Sequence, residues 1–221
     1  MLHVLALLAA TAVEPTVSTA WLASHLNDPQ VRVITTGTKT VFDAGHIPGA
    51  RFIDHMETLG GAEGHHLLPP ADLARALTKA GAADGTHIVI YGDRPMETGW
   101  LFMTLAATGH AADVSMLDGN FTLWQQEGRP ASTNPVEAST GTLTAKPAPD
   151  VIVDAPWVKG RLQSTATKVL DVRTTGEWNN GHLPNATLIL WQDLYADQKT
   201  AKLKSPEEIR ALIARAGVGP N

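Results

Sequence analysis

The sequence predicts an α/β fold: a mainly parallel sheet covered by helices on both faces, one complete domain plus about half of a second. Three observations predict it. Short β-branched runs alternate with amphipathic helical segments, the segments recur in one register, and the second series stops before the counterpart of the first one's central strand.

The recurrence rests first on two hexapeptides, Gly45-His46-Ile47-Pro48-Gly49-Ala50 and Gly181-His182-Leu183-Pro184-Asn185-Ala186, offset by 136 residues (181 − 45). The same offset lays Lys79-Ala80-Gly81 over Arg215-Ala216-Gly217 without a gap. Two matches in one register point to a duplication.

Taken in order, residues 31–34 (Val-Arg-Val-Ile) form a short run of the buried-strand type. Residues 70–80 read as a helix with Pro70 in its first turn, Leu73, Ala76, Leu77 and Ala80 on one face, and Gly81 as its stop. A strand at 87–91, a polar loop at 92–99 and a helix at 100–108 ending on Gly109 come next. A strand at 114–117 then leads through Asp118-Gly119 to a short helix containing Trp124, closed by Gly128. The second copy repeats the series with strands at 168–172 and 187–190 and a helix at 206–216, and ends at Asn221, opposite Gly85. A parallel sheet without its central strand loses neighbours on both sides, so this copy reads as incomplete. The expected division is an apolar arm at 1–15, a first domain at 16–133, a linker rich in Pro, Ala, Ser and Thr at 134–150, and a partial second domain at 151–221.

Composition narrows the classes of function. An apolar fraction of 43% with 18% charged residues is that of a folded globular chain. A net charge of −5 with scattered Lys and Arg argues against nucleic acid as a partner, and no run reaches the ~18 apolar residues of a membrane span. The chain has no cysteine, which excludes disulfides, thiolate metal sites and a Cys nucleophile within it. Neither a metal nor a cofactor is expected, since the adjacent His65 and His66 do not converge and have no spaced partners. An apolar run from Val4 to Ala10, closed by Ala10-Thr11-Ala12, has the look of the end of an export signal. It predicts a periplasmic or secreted protein; the alternative is a short apolar arm on a cytoplasmic one.

Several spaced motifs on this duplicated frame carry a family resemblance. In the first copy they are Val17-Ser18-Thr19-Ala20-Trp21-Leu22, the 45–50 hexapeptide, Leu117-Asp118-Gly119 and Trp124-x-x-Glu127-Gly128-Arg129-Pro130. In the second they are Leu170-Asp171-Val172-Arg173, Glu177-Trp178, the 181–186 hexapeptide, Trp191 and Ser205-Pro206-Glu207-Glu208. The chain thereby resembles the tandem-domain rhodanese and mercaptopyruvate sulfurtransferase family over nearly all its length after residue 16. The resemblance implies transfer of sulfane sulfur from a small donor anion, thiosulfate or 3-mercaptopyruvate, to cyanide or a thiol through a cysteine persulfide. In such a site a loop of backbone N–H groups at a helix N-terminus stabilises the thiolate and the donor anion.

The resemblance also implies where the thiol belongs. Gly92 takes the cysteine's place in the first copy, where Pro95 removes a donor and Asp93 and Glu97 would repel an anion, as in the family's silent first domain. The family's cysteine is expected beyond Asn221, near position 228 (92 + 136), so this chain is expected to be inactive by itself. The alternative is a non-catalytic rhodanese-like binding or regulatory module.

Five residues are candidates for supporting the site. Asp171 and Arg173 form the family's Asp-x-Arg motif, read mainly as an ion pair tying a strand end to a helix. Glu177 stands where several mercaptopyruvate-using relatives have an arginine, which leans the preference toward thiosulfate by like-charge repulsion. His182 recurs as His46 in the silent copy and so reads as structural. Trp191, with Tyr195, is placed at the mouth of a cleft or in ordinary core. Thr98 is expected to cap the helix after the first loop.

Overall fold

The chain's strand and helix signals become a two-part molecule in a computed structural model that describes residues 13–60, 66–134, 136 and 141–219. The export-like run at 4–12 and His65 lie outside the described residues. The first half opens with a strand, β1 (Thr16–Ser18), and a helix, α1 (Thr19–His25), begun by the Ser18 hydroxyl accepting from Trp21 N. β2 (Val31–Thr36), α2 (Lys39–Ala44) and β3 (Arg51–Phe52) follow, then a 3-10 turn at His55–Thr58 and the antiparallel pair β4 (Leu59–Gly60) and β5 (His66–Leu67). α3 (Pro70–Lys79), β6 (His87–Gly92), α4 (Pro95–Ala107), β7 (Val114–Asp118) and α5 (Phe121–Gln126) complete it.

Five of these strands form one parallel sheet in the order β1-β7-β6-β2-β3. The side-chain period of two sorts its residues onto two faces. Ile88 and Ile90 of β6, with Ile34 and Val114, meet Leu77 of α3 and Leu101 and Leu105 of α4. Val89 and Tyr91, with Val17, Val33 and Leu117, meet Leu22 of α1 and Trp124 of α5 on the other side. Because both faces are covered, β6 reads as a continuous apolar run and not as an alternating one. The Trp124 indole, fully buried, donates to Pro130 O at 2.6 Å, which fixes the chain just after α5.

Two expectations need correction here. α4 starts at Pro95, five residues before the expected start at Trp100, because proline's fixed φ and missing N–H suit the first helical position. Thr98 therefore lies inside α4, and its hydroxyl donates to Arg94 O at 3.1 Å instead of capping the helix. The strand β1 and the short helix α2 were not foreseen, being three and six residues long.

The second half contains α6 (Ala155–Lys159), β8 (Val169–Asp171), α7 (Thr175–Asn179), β9 (Ala186–Leu188), a 3-10 turn at Trp191–Leu194, β10 (Tyr195–Asp197), β11 (Lys202–Leu203) and α8 (Pro206–Arg215). α6, α7, β10, β11 and α8 each begin 136 residues after α1, α2, β4, β5 and α3 (for α8, 206 − 70). The duplication is thus visible in the fold. It extends to backbone detail: Gly49, at φ 81°, has Asn185 at φ 62° as its counterpart, and asparagine is among the few residues that tolerate that left-handed region.

What differs is burial. β8 and β9 form a parallel pair with no third strand among the described residues, whereas β2 has both β3 and β6 beside it. In the first half Ile47 is 0% exposed; its counterpart Leu183 is 47% exposed. Among the described residues after 150, only Ile189, Thr200 and Ala216 are buried. The second half rests on the first through the β10–β11 hairpin. Leu203 N donates to Asp118 Oδ1 at 2.9 Å, Lys202 pairs with the same carboxylate, and Asn120 Nδ2 donates to Lys199 O at 3.0 Å.

Candidate functional site

The two halves enclose a cleft of about 740 Å³. One wall is the start of α4, with Pro95, Met96 and Gly99, together with Met116 of β7. The other is built by Val172, Arg173, Thr174 and Glu177 after β8, by Trp191, Gln192, Leu194 and Tyr195, and by Leu203, Ile209 and Ile213. Ile209 and Ile213 are one helical turn apart on α8, so an apolar stripe faces open space. Gln192 also borders the cleft, and its buried Oε1 has no hydrogen-bond partner among the described residues.

Arg173, Glu177 and Trp191 are brought together at this cleft; Asp171 and His182 are not among its lining. Asp171 stands behind Arg173. The guanidinium reaches Asp171 Oδ1 through Nε at 2.9 Å and Oδ2 through Nη2 at 2.5 Å, and Nη2 also donates to Gly181 O at 2.9 Å. This fork clamps the end of β8 to the turn after α7. Hydrogen bonds from the Arg173 side chain hold the Asp171 carboxyl below the usual carboxylate range.

Glu177 has a local job. Its Oε2 accepts from Thr174 N at 3.0 Å and from Thr174 Oγ1 at 2.6 Å, while Glu177 N donates to Thr174 Oγ1 at 3.3 Å. This is a capping box that starts α7, and the Thr174 hydroxyl bond is the main cause of a lowered Glu177 pKa. A carboxylate charge is therefore fixed on the cleft wall.

His182 stacks flat on Trp178, with centroids 3.5 Å apart and planes 4° apart, and its Nδ1 lies 3.2 Å from Trp178 O. His46 does the same on Phe42, at 4.0 Å and 11°, with Nδ1 3.0 Å from Phe42 O. One aromatic-histidine device thus closes the same loop in both halves. Trp191 meets Tyr195 edge-on at 6.0 Å, and Trp191 N donates to Val172 O at 3.1 Å. Burial pushes the Tyr195 hydroxyl pKa up. His66 sits exposed on β5, and among the described residues no three His, Asp or Glu side chains converge as a metal site would need.

The loop at Gly92 is packed shut. A Cβ at Gly92 would lie 2.4 Å from Thr98 Oγ1 and 2.8 Å from Thr36 O. Asp93 turns back to accept from Thr38 N at 3.0 Å, and Glu97 takes the Arg94 guanidinium at 2.9 Å. The acidic side chains expected to repel an anion are thus tied to neighbouring groups, and side-chain contact as well as charge fills the loop.

Sequence reasoning missed most of the apolar lining. Met96, Met116, Leu194 and Leu203 look like ordinary core residues in sequence. The available signal is the Ile209-Ile213 stripe on a helix whose first-half counterpart packs on β6, a strand with no counterpart among the described residues of the second half. Chemically the cleft offers apolar surface, a clamped guanidinium and an ionised carboxylate. A sulfur nucleophile is not among its groups, because the chain has no cysteine.

Comparison with known proteins agrees with this geometry. The chain is 28% identical over 227 residues to the sulfur carrier protein TtuD of Thermus thermophilus, covering 93% of this chain and 79% of the relative. It is 25% identical over 222 residues to the 3-mercaptopyruvate sulfurtransferase of Escherichia coli, covering 90% and 78%. It is 27% identical over 221 residues to a putative thiosulfate sulfurtransferase of Mycolicibacterium smegmatis, covering 91% and 78%. The crystal structure of SseA from Escherichia coli, a 3-mercaptopyruvate sulfotransferase with the rhodanese fold, superposes with a TM-score of 0.80 at 24% identity, covering 94% of this chain and 85% of that one. The profile of the Rhodanese-like domain matches residues 18–127 and again 154–217, one match on each half of the fold. With both repeats matched in this way, the chain belongs to the rhodanese-like family of tandem-domain sulfurtransferases.

Proposed function

We propose that the chain is the scaffold and cleft of a sulfurtransferase that moves sulfane sulfur from thiosulfate, in preference to 3-mercaptopyruvate, to a thiol or cyanide. In this reading the persulfide forms on a cysteine outside the 221 residues, and the 221 residues alone are inactive. The observation that carries the proposal is the one-sided setting of β8. β2 is paired along its length with β6, the strand that leads into the Gly92 loop, while among the described residues β8 pairs with β9 alone, and the cleft opens at the residues that follow it, Val172 and Arg173. A strand and helix entering there would pair with β8, cover Ile209 and Ile213, and bring a loop to Arg173, Glu177 and Trp191. The preference for thiosulfate rests on Glu177 standing where the family resemblance implies an arginine for a substrate carboxylate, so that this position supplies no cation to recognise one.

The test is a chain extended after Asn221 by a β-strand, a glycine-containing loop with one cysteine at position 228, and a helix. Thiosulfate:cyanide transfer by this chain, and its loss when the cysteine is serine, is the expected outcome. An extended chain whose second half gains amide protection yet transfers no sulfur would favour the other reading, a non-catalytic binding or regulatory module, which the absence of cysteine from the chain supports. Export, to the periplasm or beyond the cell, is part of the proposal. N-terminal sequencing of the protein recovered from the periplasm should find cleavage after Ala12, and recovery only from the cytoplasm with an intact arm would refute it.

A further inference from the structure

The segment between the two repeats lies in a row of hydrogen bonds along the first domain. Asp84 N donates to Thr142 O at 2.9 Å, Leu143 N to Thr78 Oγ1 at 2.9 Å, Thr144 N to Asp84 Oδ1 at 3.1 Å, and Lys146 N to Thr108 O at 2.8 Å. Leu143 is buried against the α3–α4 face of the sheet.

His110 sits under this strap, 1% exposed. Its Nδ1 is 3.0 Å from Asp113 Oδ2 and its Nε2 is 2.9 Å from Thr144 O. A carboxylate and a carbonyl only accept hydrogen bonds. A neutral imidazole has one N–H and can satisfy one of them; an imidazolium has two and satisfies both. Acidic groups face the ring from two elements. Asp113 faces it from the 3-10 turn Ala111–Asp113, and Asp84 Oδ1, from the loop before β6, lies 3.7 Å from Nε2. Thr144 hydrogen bonds hold the Asp84 carboxyl below its ordinary range, so that oxygen stays anionic. The backbone N–H of His110 closes the C-terminus of α4 on Leu105 O at 3.1 Å, which places the ring at the negative end of that helix. On the strap itself the charged group is Lys146, which acts on Asp84.

We propose that the His110 imidazolium rivets the inter-repeat strap to the first domain, and that loss of its proton as the pH rises releases the strap. The sign follows from proton linkage: a strap that needs the ring's second N–H is held only while that proton is present, so fixation weakens as the pH rises. Deprotonation leaves either Asp113 or Thr144 O without its donor. Asp113 is the stronger acceptor, so the bond lost is the one to the strap.

The experiment follows the His110 ring by long-range ¹H–¹⁵N NMR across the range in which histidines titrate, about pH 5 to 8 and slightly beyond. Alongside it, exchange protection factors, corrected for intrinsic rates, are measured for the Leu143, Thr144 and Lys146 amides. The expected result is a doubly protonated ring at the acidic end and a fall of about tenfold or more in strap protection as that signature disappears, the factor implied by one lost hydrogen bond to a charged donor. In Asp113→Asn, which keeps an acceptor but removes its charge, both changes should move together to lower pH. A ring with one N–H throughout, a ring that never gives up its second proton, or protection that does not follow the ring would each overturn the proposal.

Discussion

Asp118, the last residue of β7, accepts a hydrogen bond of 2.9 Å from Leu203 N, 85 residues away in the other repeat. The same carboxylate takes the Lys202 ammonium, so a single side chain of the first domain holds both residues of β11. This contact fixes the β10–β11 hairpin, and with it Tyr195 and Leu203, against the first-domain wall of the cleft.

Asp118→Ala should therefore loosen the hairpin without harming the sheet. The loss expected is about 1–2 kcal/mol of docking free energy, the scale of hydrogen bonds to a partly exposed charged group. Amide exchange at 195–203 should accelerate while Ile88, Val89 and Ile90 keep their protection. Unchanged exchange at Leu203 would show that the hairpin is held by something else.

Restoring a thiol to the first domain should not restore chemistry. In Gly92→Cys the new Cβ meets Thr98 Oγ1 and the backbone oxygen of Thr36, and only the first can rotate away. The variant should lose about 1–3 kcal/mol of stability through overpacking and show no thiosulfate:cyanide transfer. Denaturant titration and the standard assay check both, and an active, equally stable Gly92→Cys chain would refute the account of that loop.

Acidification should melt the second half first. Asp171, Glu177, Asp197 and Glu208 all have carboxyls held low, chiefly by hydrogen bonds from Arg173, Thr174, Thr200 and the Ser205 backbone. Lowered carboxylates stabilise the fold above their unfolded values of about 4, and that contribution disappears as the pH falls through their lower folded values. With few buried residues behind them, the helices after 150 should lose amide protection at a higher pH than α3 and α4. At neutral pH they should already exchange much faster than the first half. Equal protection in both halves would contradict the half-covered sheet.

The first domain was legible because its strands are buried on both faces and therefore read as apolar runs, as 87–91 does. The repeat was legible because the two hexapeptides keep a strict register, which the helix starts at Pro70 and Pro206 preserve. Other features depend on tertiary contact and leave little local trace. The three-residue β1 is a strand because β7 lies beside it. The start of α4 was misplaced because Pro95 in a polar stretch looks like loop until the helix behind it is seen. At the cleft, the polar and aromatic Arg173, Glu177 and Trp191 carry a signal in the sequence, but the apolar residues shaping the cavity do not. Ile209 and Ile213 reveal themselves only by lacking the cover that Leu73 and Leu77 have. His182 and His46 stand at the same place in the repeat, although nothing in the spacing alone shows a ring stacked on the residue four before it.

Under the proposed function a persulfide cannot form on this chain, which has no cysteine. The most direct measurement is thiosulfate:cyanide transfer by purified residues 1–221, with mass spectrometry for any protein-bound sulfane sulfur. Thiocyanate at the level of a heat-killed control, with no added sulfur, is the expected result. Thiocyanate above that control, or a mass increase of one sulfur atom on the folded chain, would contradict it.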